Sequence, residues 1–345
     1  MNSLITSSCS AIGIVILLSF LPPDEGRLPG EARSIHDTCA RKAADSDSAA
    51  SCGKCHVAVF NEWKGKAHSH AWTNPVYQNA IKNKKRPQSC HACHTPDQVL
   101  ERVGRKPKTR DDILEEGVTC VSCHKLGEEE IHGPFGAETE AHTSKKSPHF
   151  TLEGSNGLCA SCHSTKIGPV LPVGRDYTRA EWPKGKEKKS CVECHMPEVE
   201  RHLAIDPETK KPVGPKRKNR RHGMLGPDDA EFCATAFSFE SRKDGAEIVL
   251  EVENKAAHRV PGLTLRKFVF TAQQLDGADK EVGKGEAEIT GEDYLQIFET
   301  REFRFPAAPT AAALKIVVEQ FFEEEKGEEK HWVRVHSTEH TKIIL

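Results

Sequence analysis

Five times within residues 52–195 the chain repeats Cys-x-x-Cys-His: Cys52-Gly-Lys-Cys55-His56, Cys90-His-Ala-Cys93-His94, Cys120-Val-Ser-Cys123-His124, Cys159-Ala-Ser-Cys162-His163 and Cys191-Val-Glu-Cys194-His195. The two thiols can add across the vinyl groups of one haem, and the adjacent imidazole is placed to ligate its iron from the proximal side. Ten of the thirteen cysteines are used in this way. Paired Cys-x-x-Cys elements also hold structural zinc, and a lone Cys-x-x-Cys can be a redox disulfide. Neither chemistry needs a histidine directly after the second cysteine at every copy. The residues therefore predict five haem c groups, each attached through one cysteine pair, with His56, His94, His124, His163 and His195 as iron ligands.

Positioning these groups is the task of residues 51–230. The motif starts are 38, 30, 39 and 32 residues apart, repetitive but not a strict solenoid period. Each motif fits a short helical turn, which keeps both thiols and the imidazole near one haem face. Helices are expected at 57–67, 74–83 and 111–116. The remainder is rich in Gly, Pro, Ser and Lys and reads as loops, with little regular sheet. Aromatic residues make up only 6% of the chain, too few for a large conventional core, so the macrocycles themselves are expected to supply core volume.

Before this segment, 11–21 is a short apolar run followed by Pro22 and Pro23, of signal-peptide rather than membrane-span length. The n-region carries no Lys or Arg. Residues 1–23 are expected to be a cleaved signal or an N-terminal anchor, and 24–50 a polar leader. After it, from Glu231, the pattern changes to short alternating apolar runs around 237–240, 247–253, 267–271, 303–305, 314–322 and 332–335. Asp244-Gly245, Asp276-Gly277 and Lys326-Gly327 supply turns between them. Residues 231–345 read as an antiparallel β-sandwich. The expected fold is thus a multihaem cytochrome c, mostly loops and short helices around a haem stack, plus this sandwich. A formal net charge of -2 gives no overall polycationic character of the kind nucleic acid demands.

Thirteen histidines lie outside the proximal set. His68 and His70 follow the first motif. His132, His142 and His149 lie between the third and fourth, and His222 and His258 follow the fifth. Their abundance predicts distal ligands, giving mostly bis-histidine iron. His91, His331, His336 and His340 are expected to be non-ligands. Cys9 lies in the signal segment and is expected to leave with it, whereas Cys39 and Cys233 can be a disulfide or single thiols.

The stretch Cys52-Gly-Lys-Cys-His56-Val-Ala-Val-Phe-Asn-Glu-Trp63-Lys-Gly-Lys-Ala-His68 resembles the opening of the cytochrome c554/c-prime family of multihaem electron carriers. Gly117-Val-Thr-Cys120-Val-Ser-Cys123-His124 resembles that family's internal motif. His142 with Ser147-Pro-His149-Phe resembles the segment that supplies another distal histidine, and Cys191 to Pro197 followed by Arg221-His222-Gly-Met resembles its closing haem and ligand. The resemblance implies distal roles for His68, for a histidine of the His142–His149 segment and for His222. The family's prototype is tetrahaem, so the fifth motif departs from it. Asn254-Lys-Ala-Ala-His258-Arg-Val-Pro261-Gly is similar to a segment of larger multihaem cytochromes with an appended sandwich, where the histidine reaches back to cap a haem. Here Ala257 precedes the histidine and no Thr precedes Gly262.

Electron transfer to redox partner proteins, outside the bacterial cytoplasm in the periplasm or extracellular space, is the expected function. The rivals are an oxidoreductase acting on a small nitrogen compound at one open iron, and a structural or filament cytochrome. The motif Cys90 to His94 has the least obvious distal partner. No mature transmembrane span is expected, and an oligomer is left open.

Overall fold

Serine and threonine caps start three of the five motif turns. In the computed structural model, which describes residues 47–345 except 139–140, 327–328 and 341, Ser48 accepts from the Ser51 N–H to open α1 (Ala49–Gly53). Reciprocal capping boxes, Thr119 with Ser122 and Ser190 with Glu193, open two further motif helices. Such boxes satisfy helix-end donors that would otherwise be orphaned. The helices are α1, α2 (Val57–Trp63), α3 (Pro75–Lys82), α4 (Gln88–His94), α5 (Cys120–His124), α6 (Ser155–His163), α7 (Val173–Arg179), α8 (Cys191–His195) and α9 (Ala230–Ala234). All are short.

The expected helix at 57–67 ends at Trp63, because Gly65 turns left-handed at φ +82°. At 111–116 only a 3₁₀ turn, Leu114–Glu116, forms, since Ile113 before it sits at φ +44°. Between the helices run short ribbons. β1 (Lys125–Leu126), β2 (Glu130–Gly133), β3 (Ala137–Glu138) and β4 (Thr143–Lys146) make one small sheet, while β5 (Glu198–Arg201) pairs with β8 (Arg217–Arg220) and β6 (Ala204–Ile205) with β7 (Pro212–Val213). Little regular sheet was expected there, and these ribbons are all two to four residues per strand.

The C-terminal strands are β9 (Phe237–Asp244), β10 (Glu247–Asn254), β11 (Arg266–Leu275), β12 (Glu281–Thr290), β13 (Thr300–Pro306), β14 (Ala313–Lys326), β15 (Glu329–Glu339) and β16 (Ile343–Ile344). They form two antiparallel sheets, β13-β10-β9 and β12-β11-β14-β15, with β16 joined to β14. Alternation explains the packing: Ile248, Leu250 and Val252 of β10 face Phe268, Phe270 and Ala272 of β11, with Ile289, Leu314, Ile316 and Val318 in the same core. Gln274 is buried among them without penalty, because its amide donates to Pro306 O (2.9 Å) and its oxygen accepts from Ala308 N (2.6 Å). β12 escaped the sequence reading, since Lys, Glu and Gly dominate it and only Val282 and Ile289 mark the inner face. Its Gly285 has a packing reason, as a Cβ there would meet the Phe305 ring at 2.2 Å.

Ala44–Leu345 cluster as one compact unit, so the loop-rich segment and the sandwich are not separable bodies. Their seam is built from backbone: Leu171 N donates to Gly262 O, Thr264 N to Pro169 O, and Val170 bridges Leu263. The N-terminal apolar run, Cys9 and Cys39 lie outside the described residues. Cys233 is buried on α9, its thiol donating to Gly226 O. No helix among the described residues is long and apolar enough to cross a membrane.

Phe270 is fully buried and touches the rings of Phe237, Phe239 and Phe303. Phe270→Ala is expected to cost about 3–5 kcal/mol by leaving a cavity, read as a lowered denaturant midpoint.

Candidate haem-binding sites

A carbonyl oxygen can only accept, so an imidazole nitrogen bonded to one must carry its hydrogen. Four motif histidines are fixed by this rule. His56 donates from Nδ1 to Leu203 O (2.9 Å), His94 to Ala71 O (2.6 Å), His124 to His132 O (2.7 Å) and His195 to Leu225 O (2.7 Å). Each is left with Nε2 as its lone-pair nitrogen, the tautomer a metal ligand needs. Outside the motifs, His222 donates likewise to Arg220 O and His258 to Arg259 O.

The rings then pair. His56 lies 6.3 Å from His142 between ring centroids, His163 6.2 Å from His68, His124 6.2 Å from His222, and His195 6.3 Å from His258. Two imidazoles sharing one metal, each nitrogen about 2 Å from it and about 1 Å from its ring centre, would stand about 6 Å apart. The four distances match that span and each other. They are too long for direct stacking or a hydrogen bond between the rings. Burial pulls His68 and His222 down to about 4, with the neighbouring His163 and His124 adding to it, so both rings are neutral at neutral pH. His68 also keeps a buried Nδ1 with no hydrogen-bond partner. The residues present therefore fit an iron held between each pair.

The second motif's histidine is different. Among the described ring contacts, no histidine lies at this span from His94. Tyr77 stacks on the face of its ring, at 3.6 Å and 9° between planes. Tyr77 is 7% exposed and its hydroxyl has no hydrogen-bond partner. Trp72 packs edge-on against His91 and close to Tyr77. His149 is not brought to a motif histidine among the described ring contacts, and its neighbour Phe150 stacks on His124 at 4.7 Å. His132 serves through its carbonyl, while its ring faces Glu130.

Attachment cysteines of different motifs meet. Cys52 lies near Cys120, Cys93 near Cys162 and Cys159 near Cys191, close enough for their thiols to interact, and Cys123 lies near Cys159 and Cys162. The attachment sites thus run first, third, fourth, fifth, with the second beside the fourth.

Three clamps hold the histidine-bearing loops. Glu62 of α2 takes a bidentate pair from Arg201 (2.6 and 2.9 Å) and the His222 N–H (3.0 Å), tying the first motif to the loop after β8. Around His68, its carbonyl accepts from Val118 N, and Gly117 at φ +61° passes so close that a Cβ would lie 2.4 Å from the His68 carbonyl oxygen. Beside His258, Arg259 donates from Nε and Nη2 to Asp176 of α7 (2.5 and 2.7 Å) and lies over the Tyr294 ring. Buried Arg110 meanwhile joins the second and third motifs, donating to Pro96 O, Ser122 Oγ and Gly117 O. Sequence reasoning missed these contacts and Tyr77, because a backbone carbonyl carries no residue signature and the ion pairs span distant segments.

Comparisons with known proteins bear on the motif-bearing segment and on the fold. Residues 51–125 match the family described as cytochrome c554 and c-prime. Cytochrome c-type protein TorC of Escherichia coli, from strain K12 and from O157:H7, is 25% identical over 146 residues, 42% of this chain. The match spans only one third of TorC, 33% of its length. The penta-heme cytochrome c552 of Thermochromatium tepidum shares the fold, with a TM-score of 0.57 at 17% identity over 86% of this chain and 99% of that one.

Asp176→Ala would strand Arg259 and its backbone N–H beside His258. The expected cost is about 1.5–3 kcal/mol, measured as a lowered unfolding midpoint of the purified holoprotein, with Asp176→Asn losing less. Motifs, paired imidazoles, overall fold and family match together identify the chain as a multihaem c-type cytochrome, akin to cytochrome c554 and c-prime over residues 51–125 and carrying an appended C-terminal β-sandwich.

Proposed function

We propose that this chain carries five haem c groups and conducts electrons between redox partner proteins after export to the periplasm or beyond, released from or held by its N-terminal segment. Bound haem supplies the iron that takes up and gives back the electron. The observation that carries the reading is the common 6.2–6.3 Å span of four histidine pairs. On this reading Cys52, Cys55, Cys90, Cys93, Cys120, Cys123, Cys159, Cys162, Cys191 and Cys194 attach the groups. His56 with His142, His163 with His68, His124 with His222 and His195 with His258 hold four irons from both sides, and His94 holds the fifth from one. His149 is left out of the ligand set. Residues 51–230 form the haem-bearing part, and residues 231–345 brace it and lend His258. The unbroken series of neighbouring attachment cysteines supports conduction along the chain.

A second reading is favoured by one observation: among the described ring contacts, no histidine stands at the 6.2–6.3 Å span from His94. An iron there with an open sixth position would bind a small ligand, and the reading extends to reduction or oxidation of a small nitrogen compound at that site.

Low-temperature EPR on the oxidised holoprotein, with iron and haem mass quantified, tests both readings. Four low-spin irons and one high-spin iron are expected, the latter alone shifting when nitric oxide is added. His222→Ala and His258→Ala should each convert one low-spin signal to a ligand-responsive high-spin one, and His149→Ala should convert none. Five unresponsive low-spin signals would remove the open site, and haem mass below five would reduce the count. Catalytic turnover of nitrite or hydroxylamine by the wild type, lost when the open site is blocked, would favour the enzyme.

A further inference from the structure

Of the ten motif cysteines, Cys194 is the exposed one, the other nine being partly covered. It lies at the end of the attachment series, where one side of the site is closed by the sandwich through His258 and by Phe232 against His195. The other side meets two basic segments. Lys184, Lys186, Lys188 and Lys189 immediately precede the motif and are all exposed. β8, with Arg217, Lys218 and Arg220, is brought back beside the motif by its register with β5, where Glu198 faces Arg220 and Glu200 faces Lys218.

The juxtaposition is local and specific. Arg220 reaches Met196 O, Arg221 N donates to Pro197 O, and Lys189 is near enough to act electrostatically on both Glu193 and Cys194. Residues 181–198 and 216–221 together hold nine Lys or Arg against four Glu, in a chain whose formal charge is -2. Some of this charge is used internally: Lys186 pairs with Glu253, and Lys218 with Glu198. Lys188 lies over the Tyr177 ring, leaving its ammonium at the surface beside the site. A positive patch on a near-neutral protein concentrates oppositely charged partners there and speeds their encounter.

We infer that the surface around Cys194, framed by Lys184–Lys189 and Lys216–Arg221, docks an acidic redox protein and is where electrons enter or leave. The inference rests on reading Cys191 and Cys194 as a haem attachment site. The basic segment after β7 is then part of the contact and not merely a solvated connection.

The test uses the holoprotein and a polyglutamate peptide as a carboxylate-rich probe. Binding is measured by fluorescence polarisation at low salt and at about 0.15 M, where exposed charges more than about 8 Å apart are largely screened. Zero-length carbodiimide cross-links are mapped in parallel. Lys188→Glu with Lys189→Glu should weaken binding by at least about tenfold, the neutral pair Lys188→Gln with Lys189→Gln should weaken it less, and wild-type binding should fall with salt. Cross-links should fall on Lys184–Lys189 or Lys216–Lys218. Unchanged affinity in the charge-reversed variant, or cross-links mapping to other lysines, would overturn the docking surface while leaving the haem assignment intact. A 191–195 peptide without haem mass would overturn the assignment and the inference with it.

Discussion

One hydrogen bond sets the terms for the rest of this fold: the Nδ1–H of a motif histidine given to a backbone carbonyl. It fixes the tautomer, the ring plane and the direction in which Nε2 looks for a metal. Four of the five motif histidines make it, to Ala71, His132, Leu203 and Leu225. Each acceptor lies in a segment outside the motif it serves. The loops between motifs are therefore more than spacers, because they must bring a carbonyl to within about 3 Å of a ring made elsewhere in the chain. The short ribbons follow from this demand. β6 and β7 hold the loop at Leu203, while β1 and β2 form the hairpin whose His132 carbonyl reaches His124.

In three of the four pairs the second histidine is fastened by a different device. Glu62 and Arg201 secure His222, Gly117 admits the His68 carbonyl, and Asp176 with Arg259 secures His258. In two cases the fastening is a bidentate Arg–carboxylate pair, which fixes orientation as well as distance. His258 is delivered from the sandwich, and this gives the sandwich a physical role. Its core must be rigid enough to present one loop at one angle, and the interdigitated aromatic and aliphatic residues between β10 and β11 provide that rigidity. The seam from Pro169 to Leu171 then fastens the loop to the haem-bearing segment.

The site at Cys90–His94 stands apart from this scheme. Among the described ring contacts no imidazole stands at the 6.2–6.3 Å span from its histidine, a tyrosine stacks on the face of that ring, and its cysteines lie beside the fourth motif rather than in the line from first to fifth. Placed as a branch, such a site can exchange a ligand without interrupting conduction along the series. The fifth motif is distinguished instead by charge, since its Cys194 is the exposed motif cysteine and lysine and arginine flank it in sequence and across the β5–β8 ribbon.

The candidate attachment motifs are legible in the sequence because their chemistry is local: two thiols and an imidazole within five residues leave little for the remainder of the chain to decide. The sandwich was legible for a similar reason, since alternation records burial strand by strand, and it failed at β12, where Lys and Glu on the outer face and glycines on the inner face hide the period. Distal candidates could be narrowed to a handful by abundance and by resemblance. Their assignment could not, since His142 and His149 lie only seven residues apart, but among the described ring contacts only His142 reaches a motif ring. Pairing, tautomer and the lack, among the described ring contacts, of an imidazole at the pair span from His94 are properties of segments meeting across the fold. Only the tertiary structure decides them, because a carbonyl acceptor has no residue type and a distance between remote rings has no sequence.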